Sequence, residues 1–145
     1  MGLDMYLQGK RSISNWKPEE KILSTAINEL FPTNVIVTSV SADIGYWRKS
    51  NQIHNWFVTN VQDGKDDCGE YEVSREQLLN LRGQCELVLE NLTLADTLLP
   101  TRSGFFFGDV DYNDQYVYDL KNTIKIIDDA VELDSCWTIT YSSSW

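Results

Sequence analysis

An indole, a guanidinium, a carboxamide and an imidazole crowd together between Gly45 and Val61, in the run Gly-Tyr-Trp-Arg-Lys-Ser-Asn-Gln-Ile-His-Asn-Trp-Phe-Val-Thr-Asn-Val. Trp47 offers a plane on which a flat ring can stack. Arg48 is a fork that meets phosphate oxygens in pairs, and Asn51 and His54 can read polar edges. At about 100° per residue, a helix here sets Tyr46, Ser50, Ile53, Phe57 and Val61 on one face, the expected core side. Arg48, Gln52, Asn55 and Thr59 fall opposite, and Trp47, Asn51, His54 and Val58 line one boundary. Arg48 and Lys49 then occupy the first turn, where free N–H groups and the helix dipole favour an anion. The boundary is expected to wall a pocket for a small phosphate-bearing ligand. Solvated surface cations and a hydrogen-bonded core histidine are the plainer readings of the same residues.

Two further features extend this candidate site. Arg102 is a second phosphate candidate, in the loop that leads to Gly104-Phe-Phe-Phe-Gly108. Three adjacent aromatics cannot all face one core, so at least one must point to a second layer, a subunit interface or a pocket. Phe105 and Phe106 are the stacking candidates.

The common catalytic patterns are missing. The chain has one His, so any Ser-His-Asp or Cys-His arrangement must use His54, and no carboxylate stands at helical spacing beside it. There is no Walker loop, no Gly-x-Gly-x-x-Gly and no Gly-x-Ser-x-Gly. The acidic runs Asp63–Glu72 and Asp109–Asp114 lack the order of an EF-hand loop, and Cys68, Cys85 and Cys136 are too widely spaced for a zinc site. No catalytic residue, metal or cofactor is expected. Cys85 and Cys136 read as small core residues, in keeping with a reducing compartment.

A chain of 145 residues, 42% of them hydrophobic and 12% aromatic, suits a single domain with an ample core. No run approaches the ~18 apolar residues of a membrane span, and no secretory signal is visible. The net charge of −10 is unevenly spread. Residues 1–61 carry six cations against five carboxylates, so the remainder carries −11. Such a surface repels polyanions, which argues against DNA or RNA as a partner, and nothing points to a membrane. It could serve a basic protein partner.

The elements follow from periodicity and punctuation. Leu3–Leu7 reads as a first strand, with a polar connection over Lys10–Lys17. Pro18 opens a helix with Glu19 and Glu20 near its positive end and a stripe of Ile22, Leu23, Ala26, Ile27, Leu30 and Phe31. Asn34–Ser41 is β-branched and reads as a strand, followed by Asp43 as cap of the central helix. Tyr71–Val73 is a short edge strand. Ser74-Arg-Glu-Gln77 is a capping box for a third helix, with Leu78, Leu81, Cys85, Val88 and Leu92 inward. A fourth helix starts near Asp114 with Val117, Leu120, Ile124, Ile127 and Val131 inward. Cys136–Tyr141 is a half-buried final strand. The expected fold is α+β, one domain over 1–145, with a small, mostly antiparallel sheet of three or four strands, helices on one face, and the first and last strands paired.

Met1-Gly-Leu-Asp-Met-Tyr-Leu7, Tyr46-Trp-Arg-Lys-Ser-Asn51 with Ile53-His-Asn-Trp-Phe-Val58, Asp66-Asp-Cys-Gly69, Leu99-Pro-Thr101, Gly104-Phe-Phe-Phe-Gly108 and Tyr141-Ser-Ser-Ser-Trp145 together resemble a family of small proteins encoded by bacteriophages and prophages. The resemblance implies a viral accessory protein acting in the cytoplasm of a bacterial host. By analogy with such proteins it implies anti-defence activity: sequestration of a small nucleotide-derived signal, cyclic ADP-ribose-like or a cyclic dinucleotide, without cleavage and from a homo-oligomer. A hydrolase of such a signal using His54, or an acidic inhibitor of a host protein, are the alternatives.

Overall fold

Alternation of burial along the first strand sets the whole architecture. In β1 (Asp4–Ser12), Met5, Leu7 and Gly9 are buried while Tyr6 and Lys10 are exposed. A strand with one apolar face must be covered on that face alone. The computed structural model describes residues 2–14 and 16–145, with Glu19 by its backbone only. Met1 of the amino-terminal motif, Asn15 of the expected polar connection and the Glu19 side chain at the helix start lie outside the described residues.

β1 is flanked by β2 (Ser39–Arg48) and β4 (Thr138–Ser144), and β3 (Tyr71–Glu72) adds to β4, so the order is β2-β1-β4-β3. All three pairings are antiparallel, and the first strand does pair with the last. Trp47 and Ser143 flank Met5, and Gly45 and Tyr141 flank Leu7, all on the covered face. A bulge between Leu7 and Gln8 leaves Ile44 without a partner on β1. The opposite face carries Tyr6 and Tyr46, whose rings meet at 5.5 Å.

Five helices complete the described residues: α1 (Pro18–Asn28), α2 (Asn51–Asn60), α3 (Arg75–Glu90), a single turn α4 (Ala95–Leu98) and α5 (Asp114–Val131). The fold is α+β. α3 opens on the expected capping box, Ser74 Oγ accepting from Gln77 N at 3.1 Å and Gln77 Oε1 from Ser74 N at 2.9 Å. Leu78, Leu81, Cys85 and Val88 of α3, with Leu120 and Ile127 of α5, fill the core over Leu3, Met5 and Leu7. Leu92, expected on the α3 stripe, is exposed beyond its end.

Several expectations fail, each for a physical reason. The second strand is not Asn34–Ser41 but Ser39–Arg48, because the nine residues of β1 pair along its whole length except at Ile44. Lys10 and Arg11 therefore belong to β1 rather than to a connection. Asp43 caps nothing: it sits in β2 and accepts from Gln8 Nε2 at 2.7 Å. Cys136 is exposed and precedes the last strand, so it is no core residue. Most of the α1 stripe points outward, with Ile22 82% and Leu30 80% exposed and only Ile27 half-buried, while Glu20 and Ser24 are buried.

Candidate functional site

The central segment changes from strand to helix in its middle. Gly45 to Arg48 close β2, and α2 starts only at Asn51 after Ser50. Strand alternation puts Trp47 under the sheet and Tyr46 and Arg48 on the outer side. The expected boundary of Trp47, Arg48, Asn51 and His54 on one helix is therefore absent, and Arg48 and Lys49 precede the first turn of α2 rather than occupying it. An apolar period of 3.6 and a strand-to-helix junction share the same short pattern here.

Each of the expected ligand contacts has a definite place. Trp47 is buried and its Nε1 donates to Thr123 Oγ1 of α5 at 2.9 Å. Asn51 is buried and ties three points of the 101–109 loop. Its Nδ2 donates to the carbonyls of Phe107 and Asp109 at 3.1 and 2.7 Å, and its Oδ1 accepts from Arg102 N at 2.8 Å. His54 is wholly inaccessible. The carboxylate of Asp66 only accepts, so Nε2–H donates to it at 3.1 Å, and Nδ1 accepts from the Tyr141 hydroxyl at 2.7 Å. Trp145 Nε1 donates to the same oxygen of Asp66 at 3.1 Å. Burial pushes the imidazole below its ordinary value, and the charge and hydrogen bond of Asp66 partly restore it. Arg102 is exposed, Phe105 is 96% exposed, Phe106 is half-buried, and Phe107 packs its ring against His54 at 5.3 Å.

A cavity of about 390 Å³ opens beside, not at, this sealed network. It lies between the end of β2, the start of α2, the 101–113 loop and the first turns of α5. Arg48 and Lys49 form one wall; Gln52, Gln115, Tyr116 and Asp119 form the other; Thr101, Gly108, Asp109, Asp111 and Asn113 close the loop side. Of the residues expected to meet a ligand, only the two cations Arg48 and Lys49 line it; Trp47, Asn51, His54, Arg102, Phe105 and Phe106 do not. Neither Arg48 nor Lys49 makes an ion pair with another described residue.

The walls are built deliberately. Lys49 stands at φ 58°, a left-handed conformation that costs a non-glycine residue on the order of 1–3 kcal/mol. It is held there by its N–H donating to Leu3 O at 2.7 Å, while its carbonyl accepts from Asn51 N at 3.0 Å. Gly108, at φ 87°, runs against it, and a Cβ there would sit 3.0 Å from Lys49 Cβ. Asn113 caps α5 by accepting from Gln115 N and Tyr116 N, and its Nδ2 donates to Asp109 Oδ2 at 2.8 Å. Asp119 is buried and accepts from Gln115 Nε2 at 2.8 Å and from Gln52 Nε2 at 3.3 Å. Burial raises its carboxyl above the usual range, against the pull of those donors.

Set beside protein-family models, curated proteins and solved structures, the chain matches none of them.

Sequence reasoning missed Gln52, Gln115 and Asp119. Gln52 lay on the face of α2 read as solvent-facing, and Asp119 was one carboxylate among seventeen after residue 61. The available signal was weak: Gln115 and Asp119 stand four apart on a helix, close enough for one side chain to orient the other.

Proposed function

We propose that this protein binds a small nucleotide-derived signal in the cavity between Arg48 and Asp119 and holds it without cleaving it. One observation carries the reading. Two cations unpaired by any described carboxylate face an amide–carboxylate wall across a single cavity of about 390 Å³. A nucleotide has both complements: phosphate for Arg48 and Lys49, and hydroxyl or amino donors for Asp119 and the Gln oxygens. The volume is at the lower end of the ~300–1,000 Å³ typical of ligand clefts, so the site suits one nucleotide unit at a time. The chain's one imidazole is buried away from the cavity, which counts against a hydrolase that uses His54. Together with the resemblance to bacteriophage-encoded proteins, the ligand class we propose is a cyclic ADP-ribose-like or cyclic dinucleotide immune signal, and the setting the cytoplasm of a bacterial host.

Isothermal titration of ADP-ribose, cyclic ADP-ribose and cyclic dinucleotides is the test. A ligand of this class should bind tighter than ~10 µM, about −7 kcal/mol, and Arg48→Ala should weaken it at least ~10-fold with an unchanged melting temperature. Ligand recovered after heat denaturation should be intact. No binding across the panel sinks the proposal, and altered ligand replaces the trap with an enzyme.

A further inference from the structure

α1 is turned the wrong way round for a helix of a self-sufficient monomer. Its inward side is mostly polar, with Ile27 the one half-buried apolar residue of the helix. Glu20 Oε2 accepts from Ser14 N at 2.9 Å and its carboxylate faces Arg11 and Lys17 at 3.6 and 3.8 Å. Asn28 Nδ2 donates to Ser24 Oγ at 3.1 Å, and its Oδ1 accepts from Val37 N at 2.9 Å. The outward arc is Ile22, Leu23, Ala26 and Leu30, continued by Phe31 and Ile36, and Ile22, Leu30 and Ile36 are each more than 60% exposed. A contiguous apolar patch of this kind marks an interaction surface.

We propose that this surface is a two-fold interface with a second copy of the chain, α1 packed antiparallel on α1. Charge selects that occupant. Over the whole chain the net charge is −10, and two copies repel through most faces. The exposed described charges of α1 and its two caps are Lys17, Lys21 and Glu29, so acidic self-repulsion is weak on this patch. Two-fold symmetry supplies complementarity as well. Lys21 and Glu29 lie on one flank of the arc, equally spaced about Thr25, so an antiparallel pair sets Lys21 of each copy opposite Glu29 of the other. Ala26 near the crossing point lets the two backbones approach. The interface is at the Ser39 end of β2 and the cavity at the Arg48 end, ~30 Å apart at ~3.3 Å per residue, so pairing leaves the cavity open.

Sedimentation equilibrium of the full chain decides it. A dimer should form with a Kd below ~10 µM, and Ile22→Glu should weaken it at least ~100-fold, since the change enters twice by symmetry. Lys21→Glu should weaken the dimer about tenfold, and the double variant Lys21→Glu/Glu29→Lys should recover to within about threefold of wild type. Circular dichroism should show every variant folded, because Ile22 leaves no core behind; Leu30→Glu replaces Ile22→Glu if that one variant does not fold. A wild-type monomer at ~200 µM overturns the proposal, as does a dimer indifferent to Ile22→Glu or Leu30→Glu. Loss on Lys21→Glu without recovery in the double variant overturns the antiparallel arrangement.

Discussion

His54 and Tyr141, 87 residues apart in sequence, meet through a 2.7 Å hydrogen bond with both side chains wholly shielded from water. The tyrosine ring stacks on Phe57 of α2 with centroids 3.9 Å apart and planes 7° from parallel. The last strand is thus joined to α2 by one polar and one aromatic contact. Tyr141→Phe keeps the stack and leaves the Nδ1 lone pair buried without a donor. It should cost about 1–3 kcal/mol in urea unfolding, and a loss under ~0.5 kcal/mol would show that the bond carries no net stability.

The same imidazole should make stability depend on pH. Its folded pKa is below the ordinary value of about 6.5, chiefly through burial, so the unfolded chain binds the extra proton. Its contribution is fully present above that value and is lost as pH falls through the folded pKa. Asp119, raised by burial, acts in the opposite sense: its contribution is present below the ordinary carboxylate range and lost as pH rises through its folded pKa. Between pH 7 and pH 5 the urea midpoint of the wild type should therefore lose more, or gain less, than that of His54→Gln. Equal slopes in the two proteins would remove His54 as the cause.

Asn51 should matter for the loop rather than for direct ligand contact. Its side chain satisfies two carbonyls and one N–H of the 101–109 segment. Asn51→Ala strands those groups at a cost of about 2–4 kcal/mol, and amide exchange should quicken over residues 101–109. Exchange unchanged in that loop would show that other contacts hold it.

Gly45 is a packing requirement. A Cβ at this position would sit 2.2 Å from Ile126 Cγ2, with two more atoms of the same side chain at 2.8 Å. Gly45→Ala should lose about 1–3 kcal/mol. In the Gly45→Ala/Ile126→Ala background the added methyl should be tolerated, so the two changes should be strongly non-additive in chemical denaturation. Simple additivity would mean that α5 and β2 are not in tight contact there.

The three thiols should divide two to one. Cys68 and Cys136 are exposed, whereas burial pushes the Cys85 thiol up to about 12. A chromogenic disulfide reagent at pH 8 should label two thiols quickly in native protein and the third only on unfolding. Three fast thiols would place Cys85 outside a closed core.

What is local in origin could be read from the residues alone. The capping box Ser74/Gln77 and the stripe from Leu78 to Val88 rest on short-range hydrogen bonding and on periodicity that the chain carries in itself, whereas the pairing of first and last strands joins segments more than a hundred residues apart. Phe105 and Phe107 would share a face in a strand; the turn over 105–107 divides them instead, one ring 96% exposed and the other 8%. Tertiary structure decided the rest. Gly45–Arg48 fits a helix period as well as a strand, and the length of β1 beside it chose the strand. That choice buried Trp47 and turned Arg48 outward. The cavity unites Arg48, Gln52 and Asp119 from three elements, and the acidic face of α5 gives no sign of which carboxylate will be buried. Burial of a charge depends on what packs over it, and that is a property of distant segments brought together.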